Sequence, residues 1–277
     1  MGLRINTNVP SVNAQRNLSK VKDITSEAMT RLSSGERINK AADDAAGLAV
    51  SERLKANIAG FGQAKRNASD GISLIQTAEG GMNEVSNILI RLRELSVQAA
   101  SDTVGEQERG FLNKEYQELT SEVDRIAKST KFGSKNLLNG DGEDMDFQIG
   151  IHNNEFEDRI VYKPQDANAS VSNLGIEGLS VESKGDAQVN LAAIDIAIDA
   201  VNGTRATLGA TQNRLTSTIA NLDVQNENME AANSRIRDAD VAAESAKLAK
   251  GNIMTAAATT VLSQANSSNN GALKLIG

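Results

Sequence analysis

From Asp44 to Ala100 the chain has no proline, and apolar positions recur alternately three and four residues apart: Phe61, Ala64, Ala68, Gly71, Ile75, Ala78, Met82, Val85, Leu89, Leu92, Ser96, Ala99. Only Gly71 and Ser96 interrupt the apolar set. A 3.5-residue average keeps one face of a helix toward a partner, so this run predicts a coiled-coil seam. At about 1.5 Å per residue a continuous helix here is roughly 80 Å long, more than a small globular core covers. Something long must lie beside it.

A weaker stripe precedes it, Leu18, Val21, Thr25, Ala28 and Leu32, flanked by Ile24 and Met29, and predicts a first helix over Ser11 to Leu32. Pro10 fits its first turn, where the missing N–H costs little. Ser33 to Asp44, with Gly35 and the polar cluster Asn39 to Asp44, reads as a linker. After a turn at Ser101 to Gly105, Leu112, Tyr116, Leu119, Val123 and Ile126 mark another helix, an antiparallel neighbour of the central one. Between Lys131 and Asp186 the period changes. Phe147, Ile149 and Ile151 alternate with Gln148, Gly150 and His152, and Ile160 to Tyr162 follow a polar connection at Asn153 to Asp158, which predicts a hairpin. The remainder down to Gly185 reads as loop or short strands.

The last block repeats by sevens: Ile194, Val201, Leu208, Leu215, Leu222, Met229, Ile236, with Leu191, Ile198 and Ile219 interleaved. The register breaks at Arg237 to Asp240 and resumes as Val241, Leu248, Thr255 and Leu262, with Gly251, Ala258 and Ala265 between them. Each end of the chain thus carries a short amphipathic segment, an interruption and a long seam. The fold expected is mainly α: an elongated α-helical coiled-coil bundle with a small β-hairpin region, the N- and C-terminal helices paired at one end. Residues 1–40 plus 238–277 are expected to form a terminal helical coiled-coil domain. Residues 41–237 are expected to form a long-helix bundle with the hairpin region at about 132–186. Leu18, Val21, Leu32, Val241, Leu248 and Leu262 are the expected packing residues of the terminal pair. Being short and rich in small residues, that pair is marginal alone and is expected to gain order on assembly.

Composition agrees with rods. There is no Trp, aromatics are 3% of residues and only two prolines occur, so burial must come from Ala, Leu, Ile and Val spread along helices. Cysteine is absent, which removes disulfide and thiolate chemistry. The net charge of −7, with both signs mixed throughout, argues against nucleic-acid binding. Lys65-Arg66 reads as part of a solvated face. The N-terminus lacks a basic region followed by an apolar core and so does not read as a cleaved secretory signal. Asn6 stands where myristoylation wants Ser or Thr. No apolar run approaches the roughly 20 residues that cross a bilayer, so membrane insertion is not expected.

Candidate chemistry is sparse. His152, the single histidine, lies in the predicted hairpin and reads as an exposed strand residue. Asp141 to Asp146 is rich in carboxylates but lacks the twelve-residue calcium loop with its closing Glu. Asp43-Asp44 precedes a long helix, where acidic side chains satisfy free N–H groups and the positive dipole end. Phosphate-loop, dinucleotide-turn and zinc-protease motifs are missing. No catalytic, cofactor-binding or metal-ligating residue is nominated, and the chain is not expected to be an enzyme. Gln212, Asn226 and Asn233 within the seam read as residues that fix register and partner.

Particular strings are more specific than periodicity. Leu32-Ser-Ser-Gly-Glu-Arg-Ile-Asn-Lys-Ala-Ala-Asp-Asp-Ala-Ala-Gly-Leu-Ala, Gln63-Ala-Lys-Arg-Asn-Ala-Ser-Asp-Gly-Ile-Ser, Ile75-Gln-Thr-Ala-Glu-Gly and Arg91-Leu-Arg-Glu-Leu-Ser-Val-Gln-Ala resemble the N-terminal region of bacterial flagellin. Leu208-Gly-Ala-Thr-Gln-Asn-Arg-Leu, Ser234-Arg-Ile-Arg-Asp-Ala-Asp and Leu262-Ser-Gln-Ala-Asn resemble its C-terminal region. Many flagellins carry large outer domains between the second helix and the last. Here only about 55 residues separate them, so the chain resembles a minimal form.

The resemblance implies a subunit that polymerises into the bacterial flagellar filament, the helical propeller of swimming motility, with the paired terminal helices in the inner core and the bundle in the wall. It implies export without a cleaved signal through the flagellar type III apparatus to an extracellular filament, with no cofactor. Implied partners are other copies of the chain, a flagellar cap protein, a hook-filament junction protein, a flagellin export chaperone and a host Toll-like receptor. The receptor-binding segment of the family resembles Arg91, Leu95 and Glu115, with Ile90 in place of the usual Gln. The alternative is a hook-associated adaptor at the hook-filament junction.

Overall fold

The computed structural model describes the backbone of residues 7–273 and the side chains of 7–267. Along the chain, α1 (Val9–Ser34), α2 (Ala45–Ala99) and α3 (Glu106–Ser129) are followed by four short strands, β1 (Lys131–Phe132), β2 (Lys135–Asn136), β3 (Met145–Gln148) and β4 (Arg159–Tyr162). Two further helices, α4 (Lys184–Arg237) and α5 (Val241–Leu273), complete the order. Two compact units result, residues 1–56 with 228–277 and residues 57–227; α2 and α4 contribute to both.

Local chemistry sets the helix ends. Asn8 caps α1 by accepting the Ser11 N–H, Pro10 occupies the first turn, and Gly35 at φ 72° closes the helix by returning its N–H to the Arg31 carbonyl. The Asp44 carboxylate accepts the Gly47 N–H at 2.8 Å at the start of α2, while Asp43 closes the preceding turn by accepting from Asn39 and Lys40, each at 3.0 Å. Those backbone donors, Lys40 first and Asn39 second, hold the Asp43 carboxyl below its ordinary range. Asp44 therefore caps α2 as expected, whereas Asp43 braces the turn before it rather than the helix.

In the 57–227 unit all twelve positions of the α2 stripe from Phe61 to Ala99 are buried. Ile194, Val201, Leu208, Leu215 and Leu222 meet them from α4. Residues 65 and 93 of α2 pair with 223 and 195 of α4 through Lys65–Asp223 at 2.7 Å and Arg93–Asp195 at 2.6 Å. The spacing is four heptads on each helix and runs in opposite directions, so the seam is antiparallel over that length. Tyr116, Thr120, Val123 and Ala127 bring α3 onto the same core.

The hairpin is present but shorter than the alternation suggested. β3 pairs antiparallel with β4 from Met145↔Tyr162 to Gln148↔Arg159. Ile149 and Ile151 lie beyond its end, because the N–H groups of Ile149 and Gly150 both donate to the Asp158 carbonyl, setting two residues opposite one. A second hairpin, β1–β2, turns through Gly133 at φ 61°. From 163 to 183 there is no regular strand; the segment is a strap that places Ala167, Ala169, Val171, Leu174, Ile176 and Val181 in the core. Asn113 of α3 holds it, accepting the Val181 N–H at 3.1 Å and donating to Glu182 at 2.9 Å.

Candidate functional site

The features that stand out among the described residues are surfaces and a clasp between remote parts of the chain. Among the described residues no group of three or more His, Cys, Asp and Glu is placed to hold a metal, and no helix is long and apolar enough to cross a membrane. His152 is exposed, with its carbonyl accepting from Gln148.

The terminal pair is α1 against α5. On α1 the buried or half-buried positions are Ser11, Ala14, Leu18, Val21, Thr25, Ala28 and Leu32, with Arg31 beside the last; on α5 they are Glu244, Leu248, Gly251, Thr255, Ala258, Leu262 and Ala265. Both sets step by three and four, so each helix presents one narrow seam. The helices run antiparallel: Asn8 donates to the Ala265 carbonyl at 2.9 Å, Ser11 to Asn266 at 2.8 Å, and Arg31 approaches Glu244 at 3.6 Å. A Cβ on Gly251 would collide with Thr25 Oγ1, so glycine there permits the close approach.

Of the predicted packing residues, Leu18, Val21, Leu32, Leu248 and Leu262 are half-buried in this seam. Val241 is 60% exposed, which corrects that expectation. It shares the heptad position of Leu248, but it opens α5 opposite the point where α1 has already ended at Ser34. Glu244 takes the next seam position and is buried, bridged to Lys247 at 2.7 Å as well as to Arg31. Apolar side chains also stand on the outer faces, Val9, Val12, Ile24 and Met29 on α1 and Ile253, Met254 and Val261 on α5, among exposed polar ones such as Arg16, Lys20, Lys22 and Asp23. A groove of about 530 Å³ opens between the helices at Ala14, Val21, Met254, Ala258 and Val261.

Where both seams break, the two chain passes are clasped together. Glu36 and Asp238 form an antiparallel bridge, flanked by Arg37 N–H to the Arg237 carbonyl at 2.6 Å and Ala239 N–H to the Gly35 carbonyl at 2.9 Å. Arg237 pairs with Glu36 at 2.9 Å and Glu52 at 2.5 Å. Arg37 donates to the Ile236 carbonyl at 2.6 Å, satisfying the C-terminal end of α4. Ser51 of α2 donates to Asn233 of α4 at 2.8 Å, a polar contact across the two helices. Sequence reasoning saw only an interruption here, because partners some 200 residues apart leave no local signal.

The Arg237 hydrogen bond holds the Glu52 carboxyl below its ordinary value of 4.5, and the two carboxylates raise Arg237. Since Glu52 titrates lower when folded, its contribution is complete above pH 4.5 and is lost as pH falls through the lowered folded value. Hydrogen-exchange protection at residues 36–38 and 237–239 is therefore expected to be flat through neutral pH and to decline below 4.5. Glu52→Gln should flatten that decline. An unchanged profile in the variant would remove the clasp as its cause.

In the 57–227 unit, Arg91 bridges α2 to α3 through Glu115 at 2.8 Å and pairs with Glu94 at 2.9 Å. Glu115 and then Glu94 raise the Arg91 pKa. Arg91 and Glu115 are about half exposed, whereas Leu95 is wholly buried in the chain's own core. Only the charged pair of that predicted trio is presented at the surface. Both tyrosines of the chain lie in this unit, and burial pushes the Tyr116 phenol up to about 12.

Comparison with known proteins covers the chain on either side of the strap. The family model of the bacterial flagellin N-terminal helical region matches residues 5–143, and that of the bacterial flagellin C-terminal helical region matches 191–276. A flagellin of Halalkalibacterium halodurans is 44% identical over 272 residues, covering 98% of this chain and 99% of its own. The crystal structure of Bacillus cereus flagellin aligns with a TM-score of 0.51 and 31% identity over 61% of this chain and 94% of that one. A putative flagellar hook-associated protein from Vibrio parahaemolyticus reaches a TM-score of 0.58 at 12% identity over 71% of this chain and all of that one, a likeness of fold alone.

Proposed function

This chain belongs to the bacterial flagellin family and is a flagellar filament subunit of short form, and from that premise we propose how its parts serve the polymer. Residues 1–40 and 238–277 form the inner core of the filament, and 41–237 form its outer wall. The observation that carries this is the terminal pair, which packs on Ala14, Ala28 and Gly251 while leaving apolar side chains exposed on the outer faces of both helices. Exposed apolar side chains on both helices support an interaction surface, and in a homopolymer the covering partner is another copy.

As a filament component the protein is extracellular. We propose that it leaves the cell without a cleaved signal, held beforehand by an export chaperone, and is added beneath a cap protein to a filament that begins at a hook-filament junction protein. A structural role follows from the family to which the chain belongs. An adaptor at the junction is the second reading, favoured only by the shared fold of the putative hook-associated protein. Purified protein seeded with filament fragments should grow long filaments under the electron microscope; short caps or no growth would sink the filament reading.

Arg91 and Glu115 are proposed to face a neighbouring subunit or a host Toll-like receptor, with Leu95 supporting them from beneath. An Arg91→Ala protein that polymerises normally but no longer activates the receptor supports the receptor role. Normal activation by that variant counts against it.

A further inference from the structure

Peroxide has few places to react on this chain. Cysteine and tryptophan are absent and both tyrosines are enclosed, so its two-electron chemistry falls on the six methionines. The fold sorts them. Met82 and Met145 are 1% and 6% exposed in the core of the 57–227 unit, and Met229 of α4 is half-buried. Met29 of α1 is 59% exposed and Met254 of α5 46%, and they are the two exposed thioethers among the described residues. Met1 lies outside those residues.

Both exposed thioethers stand on the terminal pair. Met254 walls the groove of about 530 Å³ together with Ala14, Val21, Ala258 and Val261, a lining that is apolar apart from Asn17 and Lys20. Met29 directly follows the buried Ala28 on α1. A thioether suits an apolar surface that another chain must fit, because it is polarisable and adapts its shape. Its sulfoxide does not: it is polar, chiral and larger by one oxygen, and that oxygen is a hydrogen-bond acceptor.

We propose that Met29 and Met254 are oxidation sites of the free subunit, and that their sulfoxides keep it out of the polymer until they are reduced. The thioether sulfur gives a lone pair to one peroxide oxygen, the O–O bond breaks, and S=O forms while the other oxygen leaves as water. Reduction by two thiols returns the thioether and yields a disulfide and water. In the free subunit water solvates the new oxygen, so the α1–α5 pair tolerates it. A second copy covering these faces strips that water and sets an acceptor against apolar side chains, and the cost falls at that step. The inference rests on the filament reading and adds a chemical control over which subunits join.

The test uses the full chain, hydrogen peroxide and wild-type seeds, and reads each chain's critical concentration after peroxide against its own value before. For the wild type the ratio should be about tenfold or more. Peptide masses should place an added oxygen on Met29 and Met254 ahead of Met82 and Met145, and more slowly in grown filaments than in free subunits. Sulfoxide reductases acting on both epimers should return the ratio to one. Met29→Leu with Met254→Leu should bring it near one although Met1 and Met229 stay oxidisable; if that chain does not elongate before peroxide, each single variant should give an intermediate ratio. Undiminished elongation by wild-type chain oxidised at both sites overturns the proposal, and so does a ratio in the variants as large as in the wild type. Failure of the unoxidised wild type to elongate would instead count against the filament reading.

Discussion

Leu89→Ala is expected to destabilise the 57–227 unit by about 2–5 kcal/mol, the cost of removing a fully enclosed leucine from a core that relaxes only in part. Leu89 sits in the centre of the α2 stripe, wholly buried among Val85, Leu92 and the facing residues of α3 and α4. Ile90, one residue on, is 49% exposed, and Ile90→Ala should change stability by no more than about 0.5 kcal/mol. Urea unfolding followed through Tyr116 and Tyr162 reports on this unit alone, since the chain has no other tyrosine and no tryptophan. The midpoint should fall for Leu89→Ala with the slope unchanged. Equal midpoints for the two variants would mean that the seam does not stabilise the unit.

That contrast depends on a one-residue distinction that was legible without coordinates. The alternating step of three and four selects Leu89 and rejects Ile90, and every position it selects from Phe61 to Ala99 is buried. Five successive heptad positions of α4, Ile194 to Leu222, are buried in the same way, with Met229 and Ile236 half-buried. Periodicity reads well where a helix has one continuous partner, because the partner imposes the repeat. It fails where that condition ends. Val241 keeps the heptad position but has outrun α1, and Leu95 is buried at a flanking heptad position that it shares with Leu74, three heptads earlier. The 163–183 strap buries six apolar side chains without any repeat, since an irregular backbone fixes each one separately. The Arg237 clasp is invisible for another reason: its partners Glu36 and Glu52 are remote in sequence, and a lone Arg looks the same paired or free.

Gly251→Leu is expected to disrupt the α1–α5 pair and abolish filament growth while leaving the 57–227 unit folded. In an unencumbered helix, Gly→Ala stabilises by about 1 kcal/mol because glycine has more backbone freedom to lose. Gly203 of α4 is such a site, with nothing within 4 Å of an added Cβ, so Gly203→Ala should be stabilising. At Gly251 the same methyl meets Thr25 Oγ1, with the Thr25 Cβ at 3.4 Å and backbone Cα at 3.7 Å behind it. The hydroxyl is bonded at 2.8 Å to the Val21 carbonyl, so turning it away breaks a hydrogen bond and leaves the backbone in place. Gly251→Ala should therefore cost stability, and Thr25→Ala in the same chain should recover part of the loss. Hydrogen exchange across α1 and α5 measures the pair, the tyrosine signal serves as the internal control, and seeded growth reads the consequence. A Gly251→Ala chain with better-protected terminal helices and normal filaments would show that the two helices do not meet at this glycine.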